Sequence, residues 1–204
     1  MVAFMRKIFL LFTLLFSLHA QDNYELRLTY ARADNNDLLY IMVGDMAPNT
    51  SGIRMVSLDG GYKIAENFYH LPIDLYVEGG ISKYLEKEYG PDVYENTLYL
   101  KGYYNFKPVG NHIRLGLAEG ASYMYGTLHV EQEEAKKQGG NLSHYLNYLE
   151  FSADIDMGKL TKIQAFNELY FGFMIHHRSG IFGLINNVRH GGSNYEGIYL
   201  EKKF

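Results

Sequence analysis

YELRLTYA, residues 24–31, is the stretch that decides the fold. Tyr24, Leu26, Leu28 and Tyr30 alternate with Glu25, Arg27 and Thr29, so one face is apolar and the other polar. A two-residue period belongs to a β-strand, whose side chains point alternately to the two faces of a sheet. The pattern returns along the chain. In VSLDGGYKI, Val56, Leu58, Tyr62 and Ile64 stand against Ser57, Asp59 and Lys63. In IDLYVEGGIS, Ile73, Leu75, Val77 and Ile81 stand against Asp74, Glu78 and Ser82. TLYLKGYYNF (97–106), IRLGLAEG (113–120), LNYLEFSADID (146–156), NELYFGFMIHH (167–177) and YEGIYLEKKF (195–204) complete a set of eight segments.

Eight such strands are enough to close a small barrel with one face outward and the other inward. The composition agrees: 19 Tyr, 12 Phe and 21 Gly, with no second long apolar run, fit aromatic girdles and closely packed strands. The expected fold is all-β, an eight-stranded antiparallel transmembrane β-barrel of the outer membrane. A periplasmic β-sandwich or lipocalin-like barrel is built from the same alternation. Large aromatics at strand ends and the final Phe204 favour the membrane barrel. That terminal aromatic resembles the signal read by the barrel-assembly machinery, although Lys202 stands where an apolar residue is usual.

Short connections at 107–112 and 156–162, against longer ones around 34–51, 85–95, 127–144 and 181–193, give the expected sidedness. EQEEAKKQGG reads as a solvated charged loop, with a brief helix as the alternative. Residues 38–43, LLYIMV, either lengthen the first hairpin or form a loop segment folded over the barrel.

At the N-terminus, Arg6 and Lys7 precede an apolar stretch from Ile8 to Ser17, too short for a spanning helix of roughly 20 residues. Followed by Ala20, it reads as a secretory signal peptide over residues 1–20, leaving 21–204 as one barrel domain exported to the bacterial outer membrane. The net charge of −4 includes no basic stripe, so nucleic acid is not an expected partner. With no cysteine, disulfides, thiol nucleophiles and thiolate metal sites are excluded. Glu150, Asp154 and Asp156 have no histidine beside them and read as an inward polar network, so neither a metal nor a cofactor is expected.

Candidate chemistry lies in HHRSGIFG, residues 176–183. Extending the parity of Phe171, Phe173 and Ile175 puts His177 and Ser179 on the outward face and His176 and Arg178 in the lumen. Counting back from Phe204 puts Glu196 on the outward face of the last strand, at the same rim. A serine, a histidine and a carboxylate together suit acyl transfer. The imidazole takes the hydroxyl proton and the acid holds its tautomer. Facing the outer leaflet, such a group would meet the ester-linked acyl chains of lipopolysaccharide. Polar rim residues of a non-catalytic barrel, with a structural, adhesion or surface-interaction role, are the other reading.

These last residues resemble the PagL-type lipid A 3-O-deacylases, small outer-membrane barrels with His-x-Ser near the end of the penultimate strand and Glu on the last. The resemblance implies ester hydrolysis of lipid A without a metal, with Ser179 as nucleophile, His177 as base and Glu196 as its orienting carboxylate. That family has Asn after the serine as oxyanion donor, where this chain has Gly180, and here the spacing to Glu196 is longer. Backbone amides at Gly180 or Gly183, or the side chains of Asn186, Asn187 or Asn194, are the candidate replacements. Arg178, Arg189 and His190 are candidate grips for lipid A phosphates, an ordinary charged loop being the plainer alternative.

Overall fold

The structure, a computed structural model, describes residues 23–50, 52–190 and 192–204; the signal-peptide reading of residues 1–20 lies outside them. Eight antiparallel strands close a barrel in chain order. They are β1 (Tyr24–Asp34), β2 (Arg54–Ala65), β3 (Ile73–Leu85), β4 (Val93–Phe106), β5 (Ile113–Tyr125), β6 (Tyr145–Asp156), β7 (Leu169–Ser179) and β8 (Ser193–Lys203). Strand β8 returns to β1 through ten cross-strand pairs, from Glu25–Lys203 to Asp34–Asn194. Beyond them, the Phe204 N–H donates to the Tyr24 carbonyl at 2.8 Å.

The alternation read from the sequence is the alternation observed. Leu98 and Ile81 are each 63% exposed, whereas Arg27 is 1% and Arg114 0% exposed. This is a soluble protein turned inside out. Apolar side chains on the outside suit an apolar surrounding, and closure leaves no sheet edge unpaired. Tyr24 and Tyr62 (ring centroids 5.1 Å apart) and Tyr104 and Phe106 (4.6 Å) gird one end, while Tyr123 and Tyr125 (5.2 Å) gird the other.

The lumen is filled by paired charges, as expected for eight strands. Arg27 donates to both carboxylate oxygens of Glu150 at 2.7 and 2.9 Å, and Lys101 donates to the same group at 2.7 Å. Arg114 bridges Asp154 (2.8 and 2.7 Å) and Glu201 (2.8 Å). The expected inward network of Glu150 and Asp154 is therefore in place, each acid holding a cation. Desolvating such charges is costly, and mutual pairing is what offsets it.

The connections decide one open reading and depart from expectation in two places. Residues 38–43 do not lengthen a strand: Leu38–Met42 form a short helix, α1, in the 35–53 connection. EQEEAKKQGG is not a solvated loop. His129–Gln138 form helix α2, ended by Gly139 in the left-handed region at φ 67°. Its buried residues are Glu131 and Ala135, one helical turn apart. Glu131 accepts from Arg178 and, at 2.9 Å, from the Ser193 hydroxyl. An inward stripe of one acid and one alanine gives almost no apolar periodicity, which is why the segment reads as a loop. The length alternation is also looser than expected. Connection 86–92 is short, whereas 157–168 carries a third helix, α3 (Met157–Thr161), opened by Asp156 accepting from the Lys159 N–H at 3.0 Å.

Candidate functional site

Strand β7 carries its side chains as the parity argument requires. Tyr170, Met174, His176 and Arg178 are buried in the lumen, while Phe171, Phe173, His177 and Ser179 lie on the outward face. The site sits at the end of the barrel that bears connections 35–53 and 180–192.

Hairpin register decides what His177 meets. It lies directly opposite Asn194, and Ile175 lies opposite Glu196. The His177 Nδ1 is 2.6 Å from the Asn194 Oδ1. Asn194 cannot be turned the other way, because its Nδ2 donates to the Asn36 carbonyl at 2.9 Å. An amide oxygen only accepts, so the hydrogen of His177 is assigned to Nδ1 and the lone pair to Nε2. Among the described residues, Nε2 has no hydrogen-bond partner. Asn36 is itself held by its N–H on Asp34 Oδ1 at 2.7 Å and its Nδ2 on the Asp45 carbonyl at 2.8 Å. A chain of backbone and amide contacts in the 35–53 connection thus fixes the imidazole tautomer.

Glu196 makes no hydrogen bond to His177 among the described residues. It shares the outward face, but its Oε1 accepts from Arg32 Nε at 2.8 Å, across the β1–β8 pair. It is only 3% exposed, and its Oε2 is buried without a partner. The sequence offers Asn194 as a candidate oxyanion donor, and its contact with His177 was missed. The available signal was that Asn194 and Glu196 are two apart and so share a face.

Ser179 is half-buried, one outward position beyond His177. Its hydroxyl lies 3.5 Å from the Ile181 N–H, and no hydrogen bond joins it to His177 among the described residues. Catalytic contacts are commonly loose before substrate binds.

The glycine after the serine has a steric reason. A Cβ on Gly180 would lie 2.0 Å from the Val188 carbonyl oxygen. The 180–192 connection folds back on itself here, with the Gly183 and Ile185 N–H groups both donating to the Gly180 carbonyl at 3.1 and 3.0 Å. No side chain fits at position 180 without opening that turn. The Gly183 amide is thereby engaged and is not an open oxyanion donor. The Gly180 and Ile181 amides are the ones beside the serine. Asn186 is spent on Ser143 and the Tyr145 carbonyl, docking the loop onto its neighbour, and Asn187 presents its carbonyl to Asn141.

Of the candidate cations, Arg178 is corrected. It is 0% exposed and faces the lumen, where it holds Glu131, the Ser122 hydroxyl (2.7 Å) and the His144 carbonyl (3.2 Å). It has no access to a ligand outside the barrel. Arg189 and His190 are exposed on the loop, Arg189 lying over Gly183. Among the described residues no group of His, Asp and Glu is arranged to hold a metal ion.

No family model and no curated protein matches the chain. Among solved structures, the chain of the "Crystal structure of the outer membrane enzyme PagL" superposes with a TM-score of 0.63 at 10% identity, over 88% of this chain and 99% of that one. Neisserial surface protein A (NspA) aligns with a TM-score of 0.48 at 13% identity, over 89% of this chain and 97% of that one. The likeness to PagL is one of fold: this chain is a closed, eight-stranded antiparallel barrel resembling a barrel of the outer membrane.

Proposed function

We propose that this barrel sits in the outer membrane and hydrolyses an ester-linked acyl chain of lipid A, with Ser179 as nucleophile, His177 as general base and Asn194, in place of Glu196, as the group that orients the imidazole. The observation that carries this is the Asn36–Asn194–His177 chain, which leaves a free basic Nε2 beside an outward-facing serine. Asn holds the third position in the Cys-His-Asn variant of such a triad. In the reaction the Ser179 Oγ attacks the ester carbonyl carbon as its proton passes to His177 Nε2. The amide of Gly180, next to the serine, serves as donor to the developing oxyanion. The bond to the sugar oxygen then breaks, and His177 returns the proton to that leaving hydroxyl. Water, deprotonated by His177, releases the fatty acid from Ser179.

The surroundings fit a lipid ester. A shallow apolar groove of about 300 Å³, lined by Ile113, Ile155, Phe171, Phe173 and Ile198, lies on the outward face toward the barrel end away from the serine. Phe173 and His177 are four residues apart on one strand, roughly 13 Å, well within the reach of an acyl chain. Exposed Arg189 offers a fork suited to a phosphate of the same lipid. The resemblance at His177 and Ser179 to the lipid A deacylases points the same way.

The competing reading is a non-catalytic barrel acting through its outer connections, and the absence of a Ser179–His177 hydrogen bond favours it. Mass spectrometry of lipid A from cells carrying wild type or Ser179→Ala decides between them. Loss of an acyl chain with wild type only, with both proteins equally heat-modifiable on gels, is the expected result. An unchanged lipid A in cells with folded wild type removes the enzyme reading.

A further inference from the structure

The four connections at the site's end of the barrel are of two kinds. Connection 86–92, EKEYGPD, carries four charged residues. Helix α2, in 126–144, turns Glu133, Lys136 and Lys137 outward. These two lie over strands β3 to β6, where Tyr89 and Leu142 are the exposed large apolar residues. Over β7, β8 and β1 the character reverses. Residues 38–44, LLYIMVG, contain no charge. Leu39 is 75% and Val43 80% exposed, while Ile41, at 1%, anchors the helix. On the other side of the site, Phe182 is 93% and Leu184 83% exposed.

Neither segment is a loose loop. Helix α1 packs beside β7, and the Asn36 carbonyl just before it holds Asn194. Ile181 and Phe182 adopt the left-handed region, at φ 47° and 55°. That conformation is unfavourable for branched and bulky residues and persists where surrounding contacts impose it. Here the two amides converging on the Gly180 carbonyl and the buried Val188 impose it. The chain thus turns four large apolar side chains away from its own core, on both flanks of His177 and Ser179. Apolar side chains beside the exposed Arg189 of the same loop match the boundary between acyl chains and phosphate-bearing headgroups.

We infer that Leu39 and Val43 on one flank, and Phe182 and Leu184 on the other, form a docking surface for the outer leaflet. It seats the β7–β8–β1 side of the barrel deeper in the lipid than the β3–β6 side. The inference rests on the membrane placement in the proposed function, but on no catalytic step.

The absence of cysteine makes the test direct. Single cysteines at Val43, Leu184, Lys137 and Leu98 are labelled with an environment-sensitive fluorophore, and each protein is folded into phosphatidylcholine vesicles. Quenching by acyl-brominated phosphatidylcholine is compared with quenching by aqueous iodide. Labels at Val43 and Leu184 are expected to be quenched by brominated lipid to at least about half the extent seen at Leu98 in the barrel wall, and shielded from iodide relative to Lys137. Labels at Val43 and Leu184 that behave like Lys137, with Leu98 still quenched by lipid, overturn the inference and leave the membrane barrel standing. Iodide quenching at Leu98 as well removes the membrane placement and the docking surface together.

Discussion

His176 and His177 are neighbours in sequence and opposites in circumstance. Both stand near a serine and a polar acceptor. His176 points into the lumen, 3.5 Å from Glu95 and 3.3 Å from the Tyr84 hydroxyl, with rings of Tyr84, Tyr148 and Tyr195 edge-on to it. The nearby Ser122 donates to Glu95 and accepts from Arg178 at 2.7 Å. The cluster is closed over by α2, with Glu131 on Arg178. His177 has one partner, Asn194, and an uncommitted Nε2 on the outer surface. The difference is one of access. The inward group is buried among tyrosine rings and ion pairs and acts as a brace, whereas the outward group keeps an uncommitted nitrogen at the surface.

The comparison is broken most sharply by exchanging the two histidines' fates. His177→Asn is expected to cut lipid A deacylation by about 10⁴–10⁶-fold with the barrel still heat-modifiable, as for loss of a catalytic base. His176→Asn should leave turnover near wild type and lower the unfolding midpoint in urea. If His176→Asn were the inactive variant, the inward and outward roles assigned here would be reversed.

Next comes the choice between Asn194 and Glu196. Asn194→Ala is expected to lower kcat by about 10²–10⁴-fold with little change in KM, as for the orienting member of a triad. Glu196→Gln should stay close to wild type, because Glu196 engages Arg32. Kinetics on detergent-solubilised lipid A would show it, and the opposite ranking would return Glu196 to the triad.

Smaller effects probe the supports on each side. Removing Arg178 as Arg178→Met leaves Glu131 and Glu95 without their buried partner, at a cost of about 3–5 kcal/mol. Chemical denaturation in lipid vesicles measures it. On the outer side, Gly180→Asn adds a side chain against the Val188 carbonyl and is expected to cost about 1–3 kcal/mol while lowering activity. A stable, fully active Gly180→Asn would show that the turn opens freely.

The smallest effect concerns the cap over the inward cluster. Glu86 accepts from the His129 N–H at 3.1 and 3.2 Å, where α2 begins. Burial pushes its carboxyl up to about 7 from an ordinary 4.5, against the lowering influence of that amide. With the folded value raised, its contribution is complete below about pH 4.5 and is lost as pH climbs through about 7. Amide exchange at the start of α2 should therefore quicken between pH 5 and 8, beyond the intrinsic trend, and Glu86→Gln should flatten the response.

Much of this was legible in the sequence, for a definite reason. Alternation is a local property, so the inward or outward placement of Arg27, Leu98, His176 and His177 follows from counting by twos. Helix α2 was legible only as the lesser alternative, because its inward face is a glutamate and an alanine, and the glutamate's partners, Arg178 and Ser193, lie far along the chain. The strain at Ile181 and Phe182, and the reason for Gly180, likewise arise where the chain returns upon itself at Val188.

The sequence alone determined parity: which side chains share a face and which face is apolar. It could not determine register. Sliding β8 by two residues against β7 leaves every side chain on its own face, so hydrophobic patterning is indifferent to the shift. Such a slide would put Glu196 in place of Asn194 opposite His177. Closure of the 180–192 connection and the return of β8 to β1 select one register, and only the folded barrel shows that Asn194 meets the imidazole.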